Sequence, residues 1–386
     1  MKSLDDFAAG KVRSLAARTL LRTLKPTERE DGLTVLHQGR RLLSFSCNDY
    51  LNLSHHPAVK AAAQEAVARY GAGAGASRLV TGNHPLIEAL ESRLAALKGT
   101  EAACVFGSGY LANAGIIPTL VGENDLILVD ELVHACVWAG AKLSGAPTVA
   151  FRHNDMGHLA ELLSSRRRKY GRCLVATDGV FSMDGDLAPV HELAALAAAH
   201  DAWLLTDDAH GIGVVGGGCG SSFTAEGKAA VPLQMGTLSK ALGSYGGYLC
   251  ASKPVIDLIK TRSRPLVYST GLPPASAAAA LAALDLIESD ADLVSRPVAK
   301  ARAFTRLMNL PPAESPIVPV IVGDAGATLD AARALEADGF LVIAIRPPTV
   351  PEGTSRLRIT FTANHPDAEI ERLAASLHRL GLGGGR

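Results

Sequence analysis

Along most of the chain, short apolar runs alternate with stretches whose apolar residues recur at helical spacing. Ala102–Phe106, Asp125–Asp130, Cys173–Thr177, Trp203–Thr206 and Pro232–Gly236 read as strands, and about Tyr110–Leu120 as a helix. This alternation predicts an α/β fold, a mostly parallel sheet covered by helices. Each run closes on polar residues or glycines, and open α/β sheets bind ligands at the carboxyl ends of their strands. From about residue 290 the rhythm restarts on a smaller scale: Ile317–Val322, a helix near Thr328–Ala337, Leu341–Ile345, Arg356–Thr362 and a last helix near Pro366–Leu380. An Ala-rich helix over about Pro274–Glu288 links the two units. The expected division is a helical or extended segment over 1–45, a large domain over 46–288 and a small C-terminal α/β domain over 289–386. No internal repeat is visible, and the tail Gly381–Arg386 is expected to fray.

Composition narrows the possibilities. A chain of 386 residues, 48% hydrophobic and 20% charged, is too long for one small domain and too apolar to be disordered. Lys+Arg and Asp+Glu both number 38, and only 5% of residues are aromatic, so no basic face or stacking platform marks a nucleic-acid binder. The six cysteines form no CxxC pair and read as reduced core residues, with neither a disulfide framework nor a metal site. No apolar run approaches the about 18 residues of a membrane span. The N-terminal stretch Met1–Leu24 is helical in pattern and rich in arginine (Arg13, Arg18, Arg22); Asp5 and Asp6 speak against a transit peptide, and no secretory apolar core is visible. A cytoplasmic protein is expected.

Two segments resemble dinucleotide fingerprints. Gly211-Ile-Gly-Val-Val-Gly216 follows a strand, but more glycines follow it instead of a helix. Gly107-Ser-Gly-Tyr-Leu-Ala112 follows a strand, opens a helix and precedes Asp130 by about the ribose-binding interval, so a nicotinamide enzyme is an alternative. A glycine turn at a helix N-terminus nonetheless offers free N–H groups to any phosphate ester.

The region Trp203–Lys240 weighs more. An apolar strand ends in Asp207, Asp208 and His210, and a carboxylate at a buried strand end is costly unless paired. Lys240 stands among small residues after a further apolar strand, where partial burial would lower its pKa and ready it for imine chemistry. A buried acid with such a lysine is what pyridoxal 5′-phosphate needs: the acid keeps the pyridine nitrogen protonated and the lysine forms the imine. Each residue also has a plainer reading, Lys240 as a lysine at a helix C-terminus and Asp207 as a turn carboxylate, though Asp208 suits the latter better.

Five motifs stand in order: Ser46-Cys-Asn-Asp-Tyr-Leu51, Gly71-Ala-Gly-Ala-Gly-Ala-Ser-Arg78, Thr177-Asp-Gly-Val-Phe-Ser-Met-Asp-Gly185, Asp207-Asp-Ala-His-Gly211 and Thr237-Leu-Ser-Lys240. Together they resemble the α-oxoamine synthases, from about Arg22 to Leu380. The resemblance implies a PLP enzyme of fold type I that joins an amino acid to an acyl thioester with loss of CO2. Ala344-Ile-Arg-Pro-Pro-Thr-Val-Pro351 is most similar to the branch that condenses L-alanine with a pimeloyl thioester of coenzyme A or an acyl carrier protein. Glycine or serine with another acyl thioester is the alternative within the family. The resemblance also implies a homodimer with its site between subunits.

By the same resemblance Lys240 is the Schiff-base lysine and the base at Cα, and Asp207 the pyridinium partner. His210 bonds the ring's phenolic oxygen, joined by Ser182 from the neighbouring strand end. His134 stacks on the pyridine face. Gly109 and Tyr110 meet the phosphate and ring, and Thr237 is a second phosphate donor. Arg346 takes the α-carboxylate of the amino acid, since a guanidinium fork suits a carboxylate. Thr349 contacts substrate and Arg22 lies near the acyl group, with Arg18 close by in the sequence. Ser269 and Thr270 reach the other subunit's phosphate or are turn residues, and Gly71, Gly73 and Gly75 allow a tight loop. Arg356 and Arg358 read as structural, and Arg166–Lys169 as a solvated helix end.

Overall fold

The computed structural model describes residues 2–18 and 20–383. Its centre is a seven-stranded sheet: β1 Ala102–Phe106, β2 Leu126–Asp130, β3 Thr148–Phe151, β4 Cys173–Asp178, β5 Trp203–Asp207, β6 Leu233–Thr237 and β7 Gly247–Ala251. The spatial order is β1-β7-β6-β5-β4-β2-β3. All neighbours run parallel except β7, which is antiparallel to β1 and β6. Helices cover both faces, so every residue of β2, β4 and β6 is buried, as continuous apolar runs require. The strands β3 and β7 escape the sequence pattern: β3 is short, and β7 begins on Gly247 directly after a glycine-rich turn.

Two helices on one face position the site. Gly109–Leu120 and Ala135–Ser144 pack closely because Gly140 carries no side chain; a Cβ there would lie 2.5 Å from the Asn113 carbonyl oxygen. This brings Asn113 on the first helix near His134, which caps the second.

The smaller layer is an antiparallel sheet of Ile317–Gly323, Ser355–Thr360 and Ile343–Ile345, in that order, with helices Ala325–Ala337 and Asp367–Arg379. The first of these helices begins before the expected Thr328 because Asp324 caps it, accepting from Ala327 N at 2.7 Å. The run expected as one strand, Leu341–Ile345, divides at buried Val342. Phe340–Leu341 pairs in parallel with Leu43–Ser44, whereas Ile343–Ile345 pairs with Arg356–Arg358. Phe45 enters the same core, stacked on His365 at 4.1 Å, and its carbonyl accepts from Thr360 N.

The Ala-rich helix extends over Pro274–Ser289. Helix Lys2–Ala17 buries none of its residues. In the expected frayed tail, Leu382 packs against the small core and its N–H bonds the Leu377 carbonyl, so this part is held; residues 384–386 lie outside the described residues. Among the described residues no helix is long and apolar enough to cross a membrane, and no cluster of His, Cys, Asp and Glu could hold a metal ion.

Candidate active site

The carboxyl ends of β4, β5 and β6 converge. In the β4–β5 register Asp178 lies opposite Asp207, and β6 places Met235 on its other side. Asp207 is buried, and its hydrogen-bond donors are neutral: Asn113 Nδ2 donates to Oδ2 at 2.7 Å and Ala209 N to Oδ1 at 3.0 Å. Cys136 Sγ is 3.7 Å from Oδ2. Burial, reinforced by the Asp207 charge, pushes the Asp178 carboxyl well above the usual range, and its Oδ1 accepts from His134 N at 3.1 Å. Burial also lowers the His134 pKa, so a neutral ring caps its helix, Nδ1 accepting from Cys136 N at 3.3 Å.

Lys240 follows β6 and donates to His210 Nε2 at 2.7 Å. Burial lowers the amine's pKa to about 8, against the opposing attraction of Asp207 and Asp178. Burial, with the positive charge of Lys240, drives His210 well below its ordinary value, so the ring is neutral. An acceptor at Nε2 leaves the proton on Nδ1, which donates to Tyr50 Oη at 2.6 Å. Tyr50 O–H in turn donates to Asn48 Oδ1 at 3.3 Å, which also accepts from Arg358 Nη1 at 3.1 Å. A continuous bonded chain thus joins the lysine amine to an arginine of the small layer.

The motif around Gly109 opens helix Gly109–Leu120, with Ser108 as N-cap accepting from Leu111 N at 3.2 Å. The start of β7 comes so close that a Cβ on Gly247 would lie 2.6 Å from Gly109 N. Gly109 faces Thr237, where a Cβ would lie 3.6 Å from the hydroxyl oxygen. That hydroxyl donates to the Gly246 carbonyl at 2.7 Å, while Ser239 Oγ stands beside it at 2.8 Å. Tyr110 is 52% exposed.

These features fit pyridoxal 5′-phosphate on the chain's own chemistry. A helix N-terminus free of side-chain bulk suits a phosphate, a buried carboxylate held by neutral donors suits a pyridinium, and a lysine of lowered pKa suits an aldehyde. The nicotinamide alternative fares worse. Asp130, the acid that would have to hold a ribose, is fully buried and engaged by Leu132 N, Asn154 N and His153.

The remaining candidates gather around a cleft of 1560 Å³ lined in part by Arg22, His134, Ser182, Arg346, Thr349 and Arg356. Arg22 Nη2 donates to Thr349 Oγ1 at 2.8 Å, tying the N-terminal arm to the loop that carries Arg346. Ser182 lies beyond the end of β4, in the turn that follows, and its carbonyl accepts from Arg358 Nε. Arg356 lines the cleft, pairs with Asp184 and donates to the Met183 carbonyl, and Arg358 belongs to the lysine's bonded chain; neither is remote scaffolding. Ser269 and Thr270 lie elsewhere, next to Ser77 and Arg78. Asn113, Asn48, Tyr50 and Asp178 were not singled out from sequence, although three of them sit inside the quoted motifs. Asp208, expected as a turn carboxylate, instead pairs with Lys98 at 2.8 Å, both side chains fully buried.

Comparison with known proteins agrees with this geometry. The family model for class I and II aminotransferases matches residues 40–377. The chain is 64% identical to the 8-amino-7-oxononanoate synthase of Beijerinckia indica, over 97% of both chains, and 65% identical to that of Methylocella silvestris, over 90% of this chain and 99% of the other. Among solved structures, a serine palmitoyltransferase from S. paucimobilis with bound PLP superposes with a TM-score of 0.91 at 28% identity, over 98% of each chain. The 8-amino-7-oxononanoate synthase of Francisella tularensis gives 0.75 at 25% identity, over 88% of this chain and 97% of that one.

Proposed function

The chain belongs to the class I and II aminotransferase family, and from that premise we propose that it condenses L-alanine with a pimeloyl thioester. The products are 8-amino-7-oxononanoate, CO2 and the free thiol, a step of biotin biosynthesis. The observation that carries the choice of substrates is the 64% identity, over 97% of both lengths, to a protein named for this product. The fold alone is shared with serine palmitoyltransferase and does not choose.

Pyridoxal phosphate, when held here, supplies an aldehyde for imine formation and a cationic ring that takes up the electron pair left at Cα. Asp207 supports the proton on the ring nitrogen, held in place by Asn113 and Ala209 N. The start of helix Gly109–Leu120, with Thr237, would receive the phosphate, and Tyr110 would meet the phosphate and ring. His134, held by its N–H bond to Asp178, would stack on one face of the ring. His210, with Ser182, would bond the phenolic oxygen. Lys240 takes the proton from alanine Cα and later returns one: with a pKa near 8 it exchanges protons readily near neutral pH, and His210 Nε2 orients its nitrogen. Arg346 holds the alanine carboxylate, and Arg22 with Thr349 borders the acyl chain. The working unit is a homodimer, consistent with the exposed Leu79, Val80 and Tyr268 near Ser269 and Thr270.

The test is product analysis by mass spectrometry with alanine, glycine and serine against pimeloyl-CoA, a pimeloyl carrier protein and a longer acyl-CoA. Alanine with a pimeloyl donor is expected to be used best; preference for glycine, or for serine with a long chain, would overturn the reading. Borohydride after added pyridoxal phosphate should fix the cofactor covalently to the chain at Lys240 in the wild type, read by mass spectrometry, and leave no such adduct at position 240 in Lys240→Ala.

A further inference from the structure

Outside the site, His153 is bonded to a carboxylate at each ring nitrogen. It follows β3, and its Nδ1 lies 3.1 and 3.2 Å from the two oxygens of Asp130, while Nε2 lies 2.7 Å from Asp186 Oδ2. Asp130 ends β2, and the chain then runs through Leu132 and Val133 into His134. Asp186 belongs to the turn closed by the Val180–Leu187 bridge, which carries Ser182, Met183 and Asp184. The neighbouring backbone reinforces both ties. His153 N donates to Glu131 Oε1 at 3.0 Å and Asn154 N to Asp130 Oδ2 at 2.8 Å, and Asn154 Nδ2 reaches Asp186 Oδ2 and the Leu187 carbonyl, each at 3.2 Å. Phe181 packs edge-on against the ring at 4.4 Å.

The two loops joined in this way form part of the cleft wall. Glu131–His134 and Ser182–Asp184 both line it. On its other side the 180–187 turn is gripped by the small layer. Arg356 and Arg358 bond it, Leu187 N donates to Glu314 Oε2 at 3.1 Å, and Gly185 sits so close that a Cβ would lie 2.1 Å from the Ile317 carbonyl oxygen. Without the His153 tie, the turn would remain attached to the small layer, and its link to the loop leading into His134 would be reduced to the weaker neutral bonds of Asn154.

We propose that His153, carrying protons on both ring nitrogens, is a positioning residue that holds the 180–187 turn against the 131–134 loop and so sets the cleft that receives the acyl donor. Only the doubly protonated ring can donate to both carboxylates at once. The charged groups facing it are Asp130 and Glu131 from the end of β2 and Asp186 from the turn, and the bonds to Asp130 and Asp186 outweigh burial, raising its pKa to about 10. The tie therefore holds across the neutral range and is released as pH rises through that value.

The inference rests on the proposed condensation for one readout only. In the holoenzyme, ring nitrogen shifts of 15N-histidine follow His153 directly, assigned by their loss in His153→Gln. The wild-type ring is expected to stay doubly protonated beyond pH 9. Asp186→Asn keeps the side chain's shape but removes one charge, so it should move the titration toward neutrality. KM for the acyl thioester should then rise about tenfold as the ring loses its proton, with kcat nearly constant. A ring already neutral at pH 7 in the wild type, or a KM profile that ignores the shifted titration, would overturn the proposal. Should His153→Gln fail to fold, the signal that moves in Asp186→Asn supplies the assignment. A wrong substrate would show differently, as absent product with the ring titration intact.

Discussion

Asp207 and Asp208 are adjacent in the chain, both buried at the end of β5, yet the fold treats their charges in opposite ways. Asp208 has its own cation: Lys98 donates to it at 2.8 Å, and Ser221 N adds a bond at 3.0 Å. Gly179, Gly211 and Gly220 make room for that carboxylate, since a Cβ on any of them would lie 2.9 Å or less from one of its oxygens. Asp207 receives only neutral hydrogen-bond donors. A charge cancelled inside the protein anchors the chain. A charge steadied by amides but not cancelled keeps its field for a cation brought in by a ligand. The first arrangement is architecture and the second is chemistry, and one peptide bond separates them.

Four experiments press on this contrast, from the largest expected effect to the smallest. Lys98→Met leaves Asp208 buried without its cation and should cost about 3–5 kcal/mol in denaturant unfolding. The double variant Lys98→Met/Asp208→Asn should recover part of that loss, and the folded fraction should still bind pyridoxal phosphate. Asp207→Asn should lower kcat by about 10²–10³-fold with little change in the unfolding midpoint. If the two variants exchanged phenotypes, the contrast would be reversed. Asn113→Ala removes a bond to a charged group, which contributes about 1.5–3 kcal/mol, so cofactor affinity should fall roughly tenfold or more while Asp207 stays in place. The mildest effect concerns Lys240. Amine-directed labelling of the cofactor-free protein should reach half its maximal rate near pH 8, against 10.5 for an ordinary lysine. Because Asp207 raises this value, Asp207→Asn should move the half-point lower still.

The acid and the lysine were legible because each stands at the end of an apolar run, where a charged residue conflicts with its surroundings and the conflict itself is the signal. The helix opening at Gly109 was legible for a similar reason, as glycine follows a strand. What escaped depended on partners far away in sequence. Nothing near Tyr50 announces His210, 160 residues on, and nothing near Arg358 announces Asn48, a contact that exists only once the small layer has folded against the sheet. Arg356 and Arg358 looked alike as alternating strand residues, and only tertiary placement shows one at the cleft and the other in the lysine's bonded chain. The run 341–345 carries enough apolar residues for one strand, but its two halves answer to different neighbours.

The last of these findings bears on how the molecule comes into being. Strand Arg40–Ser44 and Phe45 leave the ribosome early, yet the partners that bury them, Phe340–Leu341, Phe361 and His365, are made near the end of synthesis. The central sheet can assemble while translation continues; Arg40–Ser44 can pair at once with Thr34–His37, but its other edge and the core that covers it must wait for almost the whole polypeptide. A nascent chain arrested before residue 340 should therefore hold residues 27–45 open to protease, and release of the finished chain should close that window.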